Sequence, residues 1–134
     1  MPLRKLNLRD VKPFDYDFGQ SISAQMADVG RAVGSVSIGL AIQTVRPGCW
    51  SSRRHRHLFQ EEILVVMAGD GTLHHGDEHL PVKSGDYFAT CPAIPKRTRS
   101  RTPAPRISSS GSSVTAFATR SASTLTRAWR SLKD

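Results

Sequence analysis

The feature that most restricts the fold is a series of short strand-like segments between residues 35 and 90, each closed by a glycine-containing turn. Val36, Ile38, Leu40 and Ile42 fall on one face at period two, with Ser35, Ser37, Ala41 and Gln43 on the other. That alternation predicts a half-buried strand, ended by Pro47-Gly48. Glu62-Ile63-Leu64-Val65-Val66-Met67 is a short apolar run, rich in β-branched residues and headed by an acid. Its length and composition predict a buried strand. Ala68-Gly69-Asp70-Gly71 then turns the chain. Thr72-Leu73-His74 and His79-Leu80-Pro81-Val82 flank His75-Gly76-Asp77-Glu78 as a hairpin, and Ser84-Gly85-Asp86 turns into Tyr87-Phe88-Ala89-Thr90. Short strands at this regular spacing predict an all-β sandwich or barrel.

The flanks differ from this centre. Residues 1–34 read as an irregular arm, with a short helix or an edge strand in its second half. Ile22, Met26, Val29 and Val33 have helical spacing, but Gly30 and Gly34 oppose a helix. Residues 35–96 read as the barrel core. Residues 97–134 are rich in Ser, Thr and Arg and carry the flexible run Ser108-Ser109-Ser110-Gly111-Ser112-Ser113, so they are expected to be atypical and poorly ordered. Only Leu125 to Leu132 has the pattern of a weak amphipathic helix.

At 134 residues the chain suffices for one domain with a hydrophobic core. No apolar run approaches the roughly 18 residues of a membrane span. The first ten residues lack a secretory pattern, so a cytoplasmic protein is expected. Cys49 and Cys91 are read as reduced thiols. The net charge of +8 is not spread evenly: residues 1–90 are balanced, and the excess lies beyond them. No nucleic-acid-binding module accompanies the basic segment, so no specific nucleic-acid partner is expected.

The chemistry is concentrated in Gly48 to Gly69. His55 and His57 are two apart, so an extended backbone turns both imidazoles to one side. Glu62 begins the next strand and, if that strand runs antiparallel, can face the pair. Two imidazoles and a carboxylate suit Fe, Mn, Co, Ni or Zn and leave coordination positions open. A lone His-x-His is more often a surface feature, and four arginines lie close by. The whole frame raises the odds: a Pro-Gly turn, His-x-His, Glu62, then Gly69 and a hairpin. His74, His75 and His79 lie in or beside the hairpin and are expected to face solvent.

This frame resembles the first motif of the cupin superfamily, with Gly69 to Asp86 similar to the hairpin between the two cupin motifs. The resemblance covers about residues 36–90. It implies a small jelly-roll β-barrel, commonly dimeric, that handles a small-molecule ligand or substrate. It also implies a divalent metal inside the barrel, with His55, His57 and Glu62 matching three of the four usual ligands. Glu62 matches better than Glu61, because the spacing to Gly69 fits.

The second motif starts well at Gly85-Asp86 and then departs. Ile94 stands where the motif has Gly, and Arg97 where it has the fourth ligand His. A guanidinium has no lone pair to donate. Two accounts compete: a divergent cupin with a three-ligand site or none, or a gene read out of frame past Thr90. Oxygenase-like and isomerase-like reactions, a non-catalytic sensor domain and an inactive product all stay open, because no residue chooses among them. Core packing is the expectation for Trp50 and Phe59.

Overall fold

The computed structural model describes residues 2–55, 60–90 and 105–121. Nine strands are found there: β1 (Phe14–Gly19), β2 (Ile22–Asp28), β3 (Ile38–Val45), β4 (Glu62–Ala68), β5 (Asp70–His75), β6 (Glu78–Lys83), β7 (Tyr87–Thr90), β8 (Arg106–Ser109) and β9 (Val114–Ser121). One helical turn, α1 (Val29–Ala32), joins β2 to β3. The strands form a six-stranded sheet in the order β1-β2-β3-β9-β4-β7 and a three-stranded sheet in the order β6-β5-β8. Neighbouring strands in both sheets pair antiparallel. The all-β jelly-roll expectation therefore holds. No helix among the described residues is long and apolar enough to cross a membrane.

The core lies between the two sheets. Leu64 and Val66 of β4, Leu73 of β5, Val82 of β6, Ile107 of β8, and Val114 and Ala116 of β9 form one buried cluster, with Phe88 and Ala118 against it. Alternation explains the membership: residues two apart share a face. Trp50 makes single bridges to Ile22 and to Ser108 and so joins the second sheet to the start of β2. Ser51 reinforces that seam, its amide donating to the Ile107 carbonyl at 2.8 Å and its hydroxyl accepting from the Ile107 amide at 2.9 Å.

Two sequence expectations need correction, and one open alternative is resolved. Residues 15–19, read as part of an irregular arm, belong to the edge strand β1; Asp17 steadies its end by accepting from the Gly19 amide at 2.9 Å. Residues 21–33, left open between helix and strand, are strand and then a single helical turn, because β2 finds ladder partners on both sides whereas Asp28 caps the turn at the Arg31 amide. The largest difference lies past residue 97. Residues 106–109 and 114–121 are strands, and Ile107, Val114 and Ala116 are buried. Composition concealed them because alternation, not overall hydrophobicity, qualifies a strand for half-burial. The expectations for residues 97–104 and 122–134 lie outside the described residues.

The face assignment of β3 also differs. Registers place Gly39, Ala41, Gln43 and Val45 opposite Arg120, Ala118, Ala116 and Val114, on the inner face. Ile38, Leu40 and Ile42 thus point outward, and Val36 precedes the strand. The apolar face predicted from sequence is real, but it is the outer one.

Gly69 shows why its place in the motif is restricted. Its φ is +79°, and a Cβ there would run into the Ser113 carbonyl. Only glycine takes that conformation and tolerates that approach without strain.

Candidate functional site

Alternation along β4 places Glu62 on the same side as Leu64 and Val66, hence inside the barrel. Its carboxylate is carried into the interior by the strand itself, and Glu62 is only 2% exposed. The register puts Arg120 of β9 directly opposite on one side and Thr90 of β7 on the other. Arg120 Nε donates to Glu62 Oε1 at 2.8 Å. The inner face thus carries a cross-strand row Gly39–Arg120–Glu62–Thr90, above a layer of Ala41, Ala118, Leu64 and Phe88.

His55 lies in the connection between β3 and β4. The arginines around it, which at first weaken the ligand reading, anchor this connection. The Arg53 guanidinium sits 4.8 Å from the Phe18 ring centroid, and Arg54 donates to the Gly76 carbonyl at 3.3 Å. His55 Nδ1 is 2.8 Å from the Arg53 carbonyl oxygen. A carbonyl only accepts, so Nδ1 bears the proton, and the lone pair of the neutral ring is on Nε2. That second hydrogen bond is the arrangement that commonly orients a metal-binding imidazole. His57 lies outside the described residues, as do Phe59, Cys91, Ile94 and Arg97. Among the described residues no three His, Cys, Asp or Glu side chains are close enough together to hold a metal ion. In the parts described, the donor types fit a divalent cation: a buried carboxylate on the inner face and an imidazole whose Nδ1 carries the proton.

A cavity of about 170 Å³ opens between the sheets, lined by Leu73, His75, Leu80, Phe88, Thr90 and Pro105 among others. His75 was expected in solvent. Its parity with Leu73 on β5 turns it inward instead, and its Nε2 is buried with no hydrogen-bond partner among the described residues. The signal was present in the sequence as the two-residue step from Leu73, but the adjacent turn masked it. Arg120 was missed altogether, because it lay in the segment read as irregular.

His74 and His79 face the other way and form an outer cluster. The His74 ring lies 4.4 Å from Trp50 and 4.4 Å from His79, and its Nε2 is 3.0 Å from Ser108 Oγ. Arg106 stacks on Trp50 at 4.0 Å. Burial, then the nearby His79 and Arg106 charges, lower the His74 pKa below its usual value. Burial, then Arg54, lowers that of Arg106. Trp50 therefore packs on the outer face of the smaller sheet rather than in the core. Cys49 is a free, half-buried thiol.

Residues 41–106 match the family model of the cupin domain. The chain contains a cupin domain. That cupin match spans β3 to the first residue of β8, so the strand bearing Arg120 falls beyond it. Solved structures with the same fold include a sugar phosphate isomerase of the cupin superfamily from Silicibacter pomeroyi, 20% identical, with 88% of this chain and 75% of that one covered at a TM-score of 0.71. A predicted oxalate decarboxylase from Thermotoga maritima is 17% identical over 89% of this chain and 99% of that one, TM-score 0.69. The polyketide cyclase RemF from Streptomyces resistomycificus is 16% identical over 90% and 79%, TM-score 0.64. These likenesses establish the cupin fold, and their differing names show how little it restricts the reaction. No curated protein matches the chain.

Proposed function

We propose that this chain is a small-molecule-handling cupin with a divalent metal site formed by His55, His57 and Glu62. The observation that carries the reading is the Glu62 carboxylate, buried on the inner face of the barrel at 2% exposure. A buried carboxylate is costly unless a cation compensates it; Arg120 does so at Oε1, and a divalent metal would take that role when bound. The His55 hydrogen bond to the Arg53 carbonyl supports the reading, because such a bond at Nδ1 commonly fixes the tautomer of a metal-binding imidazole. A divalent metal, Fe, Mn, Ni or Zn, would supply Lewis acidity and open positions for an oxygen-bearing substrate.

The chain's own residues would do the rest. Leu73, Leu80 and Phe88 give the inter-sheet cavity an apolar wall, and His75 Nε2 offers one polar contact to a ligand there. Assembly as a homodimer belongs to the same proposal. Ile42, Phe117, Val65 and Tyr87 form a cross-strand row on the outer face of the larger sheet, and Ile63 and Tyr87 are exposed. Such a row is suited to cover by a second copy.

Elemental analysis of the purified protein beside the His55→Ala/His57→Ala double variant tests the site. Near-stoichiometric metal in the parent and loss in the variant are expected. No metal in either, after reconstitution with Fe(II), Mn, Ni and Zn, would sink the reading. Turnover against sugars, acids and phenols then separates an enzyme from a non-catalytic binding or sensor domain.

A further inference from the structure

The ion pair between Glu62 and Arg120 is unequal. The Glu62 side chain is 3% exposed and that of Arg120 is 45% exposed. Arg120 is also a wall residue of a second cavity, about 300 Å³, shared with Arg31, Ser35, Ser37 and Gln60. This cavity lies on the α1 side of the barrel. Asp28 also lines it, but its Oδ1 accepts from the Arg31 amide at 2.9 Å. Two guanidinium-bearing side chains therefore border one open space, and one of them pairs with the buried carboxylate.

A carboxylate oxygen held by a guanidinium is not free for a second cation. A metal at Glu62 and a guanidinium at the same oxygen also repel each other, strongly so at a site away from bulk water. Arg120 has somewhere to go, since it is half-exposed at the cavity edge. Moving toward Arg31 brings like charges together, unless an anion lies between them. Arginine forks suit carboxylate and phosphate groups for this purpose.

Resting on the metal reading above, we propose that Arg120 is a movable counter-ion. It neutralises Glu62 in the metal-free protein and turns into the cavity when metal binds. There, with Arg31, it receives a small oxyanion, the phosphate or carboxylate group of a ligand. Metal and oxyanion then bind with positive coupling, each strengthening the other by the same factor. Arg120 is a positioning residue in this scheme and contributes no chemistry of its own.

The test is Co(II) binding, followed by absorption and calorimetry, in sodium chloride and in sodium sulfate at matched ionic strength. The proteins are the parent, Arg120→Gln and Arg120→Lys, with circular dichroism to verify folding. In chloride, Arg120→Gln is expected to bind Co(II) about tenfold more tightly than the parent. Sulfate should tighten the parent about fivefold and leave Arg120→Gln unchanged. Arg120→Lys keeps the charge without the planar fork, so it should match the parent in chloride and lose at least about half of the sulfate gain. It carries the test if Arg120→Gln does not fold. Sodium acetate in place of sulfate distinguishes a carboxylate from a tetrahedral oxyanion; a gain with either supports the proposal and a gain with neither overturns it. Equal Co(II) affinity in the parent and Arg120→Gln, or an undiminished sulfate gain in both variants, overturns this inference alone. Folded proteins that bind no Co(II) overturn the metal reading and this inference together.

Discussion

Glu62 and Arg120 stand directly opposite each other on adjacent strands, Nε to Oε1 at 2.8 Å, both on the inner face of the barrel. The carboxylate is buried and the guanidinium is half in solvent, so removing either partner has unequal consequences. Arg120→Ala removes a charged partner of a buried carboxylate and should cost about 2 kcal/mol, the exposure of the arginine holding it below the range for a fully buried pair. Glu62→Gln should cost less, because Arg120 regains water. Urea unfolding midpoints of the two variants measure the difference; a larger loss in Glu62→Gln would contradict this account.

Gly69→Ala combines a positive φ with a collision against the Ser113 carbonyl. A loss of about 2 kcal/mol or more is expected. Gly111→Ala is the control, since a Cβ there meets nothing within 4 Å. Comparable losses in both would remove the steric explanation.

The depressed pKa of His74 makes stability depend on pH. Folding holds this imidazole neutral, whereas the unfolded chain takes up a proton near pH 6.5. The contribution is complete above about pH 6.5 and declines as pH falls toward the lower folded value. In His74→Asn the thermal midpoint should fall less steeply between pH 7 and pH 5 than in the parent, and an unchanged slope would exclude this residue as the cause.

Ile63→Lys places a charge on the exposed outer face of the larger sheet, beside the apolar row. Sedimentation should show a dimeric parent and a monomeric variant with the same circular dichroism. A monomeric parent at tens of micromolar would rule out this face as a stable interface.

Ile107 is 1% exposed and touches both sheets' core residues. Ile107→Ala should cost about 2–5 kcal/mol if β8 packs as described. The same measurement addresses the out-of-frame account. Cooperative unfolding with that loss shows that residues past Thr90 build the barrel, whereas non-cooperative unfolding insensitive to Ile107 would favour an inactive product.

The sequence disclosed what depends on neighbours in the chain. Turns at Gly69, Gly76 and Gly85 were legible because each needs a positive φ that glycine supplies. Glu62 was legible because strand parity ties it to Leu64 and Val66. What depends on distant partners was not legible. Period two shows that β3 has an apolar face but not which side it turns to; that is settled by pairing with β9, nearly eighty residues away. Arg120 became a site residue only through its register with Glu62, and nothing in the string Ala118-Thr119-Arg120 signals that pairing.

That same register bears on how the barrel is made. β9 lies between β3 and β4, yet it follows every other described strand in chain order. On a ribosome, β3 and β4 emerge early and must wait with open hydrogen-bonding edges until residues 114–121 arrive. Closure is then a late, long-range event, slow by the usual dependence on sequence separation. During synthesis the half-made sheet is the species most exposed to aggregation, and the one a chaperone would meet.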